Sequence, residues 1–181
     1  MRQAEIQFRD SDYLDAMSNF EKLSLDYPDS ELSGKAIFFA GRAAMLTLTE
    51  EGAQRALTLW QKLTEIKSPL AALARHHQAQ MKLSQGKQKE ALSILDAALV
   101  DEPDTALKSL ILILKGRALY ELGGKNPLQL NEAINIFAQA LSLTEISTAA
   151  RNETLFRKAK THELLGEDDE TLTCLHEILK S

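Results

Sequence analysis

The chain has 181 residues, 44% of them hydrophobic and 26% charged, with a net charge of −5 and one cysteine, Cys174. An acidic chain without a basic stripe is a poor match for a nucleic-acid backbone, where phosphate neutralisation supplies most of the affinity, and a lone cysteine excludes an intramolecular disulfide. The densest apolar stretch, Leu107 to Leu114, is broken by Lys108 and Ser109 and is far too short to span a bilayer.

Helical periodicity runs almost end to end. Val occurs once, at Val100, and the abundance of Ala, Leu, Lys, Glu and Gln favours helix. The pattern predicts helices over 1–9, 12–26, 30–48, 52–67, 69–84, 88–101, 104–122, 128–145, 147–165 and 168–180. Breakers separate them. Asp10-Ser11-Asp12 is a turn with N-capping chemistry. Tyr27-Pro28-Asp29-Ser30 ends one helix and caps the next, because a residue before proline avoids the helical region. Thr49–Gly52, Lys67-Ser68-Pro69, Gln85-Gly86-Lys87, Glu102-Pro103-Asp104, Gly123–Pro127 and Gly166–Asp169 do similar work.

One motif recurs: Ala, three residues, then a bulky apolar residue. It reads Ala16–Phe20, Ala56–Trp60, Ala91–Leu95, Ala133–Phe137 and, degraded, Thr171–Leu175. A small residue stands 12 positions before the first member in three copies (Ala4, Ala79, Ala159); Gly41 and Gly116 stand 15 and 17 before it in the other two. Recurrence at this interval marks a tandem array of helical hairpins. The fold expected is all-α, an α-α superhelix of about five antiparallel hairpins in one array. The repeats fall at 1–28, 30–68, 69–103, 104–146 and 147–181. The first hairpin is truncated, as if the chain were cut from a longer array, and Leu172, Leu175, Ile178 and Leu179 form an uncovered apolar edge on the last helix, which suits either a homodimer or missing downstream sequence. Gly in a helix interior costs about 1 kcal/mol against Ala, which Gly41 and Gly116 recover if two helices approach closely.

The motif resembles the tetratricopeptide repeat (TPR) family, whose pattern is W-x₂-L-G-x₂-Y, then A-x₃-F, then P. The second half is the better kept: Pro28 and Pro103 fall 12 residues after their Ala, and Pro69 falls 13 after. Gly41-Arg42-Ala43 and Gly116-Arg117-Ala118 echo the family glycine. Phe20, Leu23 and Tyr27-Pro28-Asp29-Ser30, followed by Ala36 and Gly41, also resemble repeats of bacterial cell-envelope assembly proteins of the outer-membrane-lipoprotein and Tol-associated type. That resemblance implies the periplasm or cell envelope for a trimmed chain, with the cytoplasm as the alternative.

The TPR resemblance implies that the first helix of each hairpin lines a concave, peptide-binding face. Aligned on Gly41, Ala79, Gly116 and Ala159, the following residue is Arg42, Gln80, Arg117 or Lys160, a mostly cationic ladder that Lys35 extends. Three positions before lie Phe38, His76, Ile113 and Phe156, and four after lie Met45, Leu83, Tyr120 and Glu163. The groove expected comprises Lys35, Phe38, Arg42, Met45, His76, Gln80, Ile113, Arg117, Tyr120, Phe156 and Lys160. Arg grips carboxylate through paired hydrogen bonds and aromatics supply anchor area, so the partner expected is a protein or peptide of acidic character. The family's carboxylate clamp uses Lys and Asn, and Gln80 is the ladder's one amide.

Catalytic chemistry is not expected. Adjacent His76 and His77 point to different faces, and His162 and His176 lie in different helices; zinc sites favour His at i, i+4 or closely spaced cysteines. Cys174 reads as a buried small hydrophobe. Gly123-Gly124-Lys125 lacks phosphate-loop spacing and reads as a loop. Glu167–Glu170 is an acidic helix start rather than a calcium loop, and the Asn152-Glu153-Thr154 triplet falls mid-helix. The function expected is a non-catalytic protein-interaction scaffold without cofactor or metal. The alternatives are a structural or oligomerising array in a bacterial envelope complex and an accessory domain of a larger protein.

Overall fold

The computed structural model describes residues 1–124 and 126–180. Lys125, expected in a loop, and the terminal Ser181 lie outside the described residues. Every element among the described residues is helical: α1 (Arg2–Arg9), α2 (Tyr13–Asp26), α3 (Glu31–Leu46), α4 (Glu50–Glu65), α5 (Ala71–Ser84), α6 (Gln88–Val100), α7 (Thr105–Gly123), α8 (Pro127–Leu141), α9 (Thr148–Leu165) and α10 (Asp168–Leu179). The chain divides into two compact units, Met1–Arg75 and His76–Ser181, with the division inside α5.

Helix starts follow side-chain chemistry. Ser30 accepts from the Leu32 N–H (3.2 Å), Thr49 from Gly52 (3.0 Å), Asp104 from Leu107 (2.8 Å), Asn126 from Leu128 (3.1 Å) and Ser147 from Ala150 (3.2 Å). Pro127 follows Asn126 at the first helical position, where a missing N–H costs nothing. Asp12 differs from expectation: it stands at the N-cap of α2, but its side chain makes no cap hydrogen bond. The α8 helix also ends sooner than the predicted 145. At its end the Ser142 hydroxyl donates to the Gln139 carbonyl (2.7 Å) and the Leu143 N–H to Ala140 (3.3 Å), so the chain leaves the helix by a tighter turn.

In the first unit α1 packs on α2, α2 on α3 and α3 on α4. Ala16, Phe20, Ala56 and Trp60 are fully buried. A ring of Phe20's size contributes about 2–3 kcal/mol on burial. Gly41 lies against the Trp60 indole, where a methyl would stand 2.5 Å from Nε1. The indole N–H donates to the Phe38 carbonyl (3.3 Å), tying α4 to α3.

In the second unit α6 packs on α7, α7 on α8 and α9, α8 on α9, and α9 on α10. Ala91, Leu95, Ala133 and Phe137 are fully buried. Gly116 faces the Phe137 ring as Gly41 faces Trp60, inside the reach of any added methyl. Leu112, Leu119, Ala133, Ile136, Phe137 and Ala140 form one cluster. Polar residues in the α9 interior are satisfied locally: Thr154 donates to Ala150 (2.6 Å) and Thr161 to Arg157 (2.8 Å). The fifth motif copy is looser, with Thr171 half-buried and Leu175 exposed.

A left-handed residue follows the first helix of every pair: Ser11 (φ 68°), Leu48 (56°), Gly86 (71°), Gly124 (52°) and Gly166 (75°). Ser11 and Leu48 hold this conformation with a side chain, which costs about 1 kcal/mol relative to glycine.

Candidate functional site

The two units present separate sets of the expected groove residues. On α3 of the first unit, Lys35 is exposed, while Arg42 and Met45 are half-buried. Phe38 is buried, its ring 5.6 Å from Phe39 and 6.3 Å from Trp60, centroid to centroid. It belongs to the hairpin interior and offers no surface to a ligand. The Arg42 guanidinium lies 5.4 Å from the Phe8 ring centroid and 5.8 Å from that of Phe39, a double cation–π contact. Phe8 meets Tyr13 at 5.7 Å and Phe39 at 6.1 Å, both edge-on, and Phe39 stacks on Phe20 at 5.7 Å. The cation therefore rests on an aromatic floor supplied by α1 and α3. Phe8, Tyr13 and Phe39 were not among the expected residues; Phe8, four after Ala4, repeats the helical spacing that would have exposed the first two turns of that floor.

Recesses open in the same unit. One of about 500 Å³ lies between the turn after α1 and the turn after α3, lined by Tyr13, Leu14, Leu46 and Thr47 among others. A second of about 400 Å³ lies beside the Arg55–Glu21 ion pair, whose two hydrogen bonds join α4 to α2. The carboxylate holds Arg55 above its ordinary pKa, chiefly through those hydrogen bonds.

In the second unit, His76 is buried with Nδ1 lacking any hydrogen-bond partner. Burial first, and the neighbouring His77 second, push its pKa from 6.5 down to about 4. It is neutral at pH 7 and unavailable to a groove ligand. Exposed Gln80 pairs with His77, Oε1 to Nδ1 at 3.1 Å. Ile113 and Tyr120 lie half-buried on the cluster around Phe137.

The best-assembled set lies on α7 and α9, which pack directly on each other. Arg117 Nε donates to Glu121 Oε1 at 2.6 Å, and Lys160 Nζ donates to Glu163 Oε2 at 2.7 Å. Glu163 raises the Lys160 pKa through that hydrogen bond and through its charge, with a smaller contribution from Tyr120 across the helix pair. Phe156 is half exposed, at 50%. The structure thus brings Arg117, Tyr120, Phe156 and Lys160 to one helix pair, with a carboxylate on each cation. The row expected to be cationic is here a row of ion pairs. Arg117–Glu121 is an i, i+4 pair and was open to sequence reasoning.

No chemistry assembles elsewhere among the described residues. His162 Nδ1 meets Glu167 Oε2 at 2.6 Å beside the turn into α10. Cys174 is buried, and that burial pushes its thiol up. Among the described residues no group of three or more His, Cys, Asp or Glu could hold a metal ion, and no helix is long and apolar enough to cross a membrane.

The helices of the described residues form a TPR-like helical-repeat fold, and solved structures share it. The chain superposes on the crystal structure of a Podosopora anserina putative kinesin light chain with nearly identical TPR-like repeats at a TM-score of 0.70 and 16% identity, covering 99% of this chain and 91% of that one. A point variant of that protein gives 0.71 and 17% with the same coverage. No family profile matches the sequence, and no curated protein matches it.

Proposed function

We propose that this chain is a TPR-family, non-catalytic scaffold that holds an extended segment of a partner protein on the first helices of its hairpins. The observation that carries the proposal is Phe156: a large aromatic, half exposed, on a helix pair that also presents Tyr120 and two hydrogen-bonded ion pairs. Such a patch offers an apolar anchor site with a polar rim, the anatomy of a binding hot spot. A partner carboxylate must compete with Glu121 for Arg117 and with Glu163 for Lys160. An acidic residue in the partner therefore adds selectivity, while an apolar side chain seated against Phe156 and Tyr120 supplies affinity. Arg42, on its aromatic floor, is the equivalent cation of the first unit. The resemblance to envelope proteins draws no support from the structural likenesses.

The test is selection of displayed random peptides on the purified chain, then fluorescence polarisation with the enriched sequences. Phe156→Ala is expected to weaken binding by about tenfold or more, and Arg117→Glu with Lys160→Glu to reverse any preference for acidic residues. Failure to enrich any peptide, or enriched peptides that bind the Phe156→Ala variant unchanged, would refute the proposal.

A further inference from the structure

We propose that a recess in the first unit docks a lysine side chain of a partner protein, with its stem against Tyr13, Leu14 and Leu46 and its ammonium at Asp12 and Asp15. The recess, of about 500 Å³, lies between the turn after α1 and the turn after α3. Its apolar walls are accessible: Tyr13 and Leu46 are half-buried and Leu14 is 66% exposed. Its hydroxyls are already used. Tyr13 donates to Ser11 (3.3 Å), Thr47 donates to the Ala44 carbonyl (2.7 Å), and Thr49 lies 3.0 Å from the Thr47 hydroxyl while accepting from the Gly52 N–H (3.0 Å). Two carboxylates remain. Neither Asp12 nor Asp15 makes a side-chain hydrogen bond or an ion pair among the described residues. Arg9 is engaged by Asp10 (3.7 Å), and Arg42 lies on the Phe8 and Phe39 rings.

The internal repeat identifies the missing cation. Ala79 and Ala91 are spaced as Ala4 and Ala16 are, and left-handed Gly86 (φ 71°) matches left-handed Ser11 (φ 68°). In this register Glu90 corresponds to Asp15. The Glu90 carboxylate is met by the ammonium groups of Lys82 at 2.7 Å and Lys87 at 4.0 Å. The residues at those two places in the first hairpin are Gln7 and Asp12. Gln7 is bound by Asn19 (2.7 Å), and Asp12 puts a second carboxylate where the repeat has a cation. Asp15 thus keeps the acid and lacks both lysines. Ionised carboxylates only accept hydrogen bonds. Three residues apart on one helix they share a face, within reach of the three donors of a single ammonium. Their two negative charges outweigh the half positive charge of the helix start. Two carboxylates are too few for a hard metal ion, which takes six or more oxygen ligands; a lysine also brings a stem that lies along apolar surface. Residues 1–34 carry eight acids against three bases, so the surroundings favour a basic partner segment over a second copy of this acidic chain.

The probes are two peptides that differ only in the ammonium, acetyl-Ala-Lys-Ala-amide and acetyl-Ala-norleucine-Ala-amide. Each is titrated into isotope-labelled chain and followed by heteronuclear NMR, with far-UV circular dichroism confirming that every variant is folded. The lysine peptide is expected to shift the amides of Tyr13, Leu14, Leu46 and Thr47 saturably, and to bind about fivefold or more tighter than the norleucine peptide. Asp12→Asn with Asp15→Asn, at two exposed positions, should abolish that preference. Asp168→Asn with Asp169→Asn removes equal charge from the start of α10 and should leave the preference intact, which separates the recess from general attraction of a cation to an acidic chain. Phe156→Ala should leave the shifts unchanged, because the recess is independent of the α7–α9 patch. No saturable shift at the recess, a norleucine peptide that binds as tightly, or a lysine preference that survives Asp12→Asn with Asp15→Asn overturns the proposal.

Discussion

Gly41→Ala probes how closely α3 and α4 approach. The added methyl would lie 2.5 Å from Trp60 Nε1 and 2.9 Å from both Cδ1 and Cε2. The indole cannot step aside freely: it is fully buried, and its N–H is held by the Phe38 carbonyl at 3.3 Å. Replacing a helical Gly by Ala gains about 1 kcal/mol of propensity. Against this, overpacking a filled interior costs about 1–3 kcal/mol, and straining the indole hydrogen bond costs about 1 kcal/mol more. The expected net result is a loss of about 1–3 kcal/mol. Urea unfolding followed by far-UV circular dichroism and by the emission of Trp60, the one tryptophan in the chain, measures it. In a Trp60→Phe background the smaller ring leaves room for the methyl, so the same substitution should cost about 1 kcal/mol less. A Gly41→Ala chain as stable as the parent, with an unchanged m-value, would refute the reasoning.

Two further outcomes are expected. Leu48→Gly should raise the melting temperature, gaining up to about 1 kcal/mol: Leu48 is 90% exposed at φ 56°, so the change relieves backbone strain and removes little packing; calorimetry checks it. His76 should make stability depend on pH. Both folded and unfolded chains are neutral at this residue above pH 6.5, but on acidification the unfolded chain takes up a proton that the buried imidazole refuses. Stability contributed by the neutral ring is therefore present above 6.5 and lost as pH falls towards about 4, up to about 3 kcal/mol in all. Urea midpoints of the parent and of His76→Leu at pH 7 and pH 4.5 should converge in their pH dependence only if some other group is responsible.

The periodic features of the fold were the legible ones. The pairing of Ala with a bulky residue four positions on reports helix–helix contact directly, and Phe20, Trp60, Leu95 and Phe137 are all fully buried. The close approach at Gly41 and Gly116 could be reasoned from the cost of glycine in a helix. Depth was not legible. Periodicity assigns Phe38 to a face, but α3 packs on both α2 and α4, so Ala36, Ile37, Phe38, Ala40, Ala43 and Ala44 are all buried and little of the helix is left to line a groove. His76 escaped for the same reason: its register three residues before Ala79 placed it in the groove row, but packing buries it. Gly52 is the first residue of the helix predicted over 52–67, but nothing in the sequence shows that it sits directly against the Ala44 carbonyl, where no side chain fits. That contact joins residues whose relation is fixed only once α3 and α4 have packed.

The left-handed residues that open each second helix have a consequence for how the fold is specified. Three of the five are glycine, but serine and leucine also hold a positive φ at Ser11 and Leu48. Local preference cannot be what dictates it there; the docked helices impose it on whatever residue the chain supplies. The instructions for this architecture therefore reside in helix interiors, and the connections act as passive hinges of set length. A library randomised at these five sites would return folded chains in quantity, with glycine rising only slowly through rounds of selection for heat resistance.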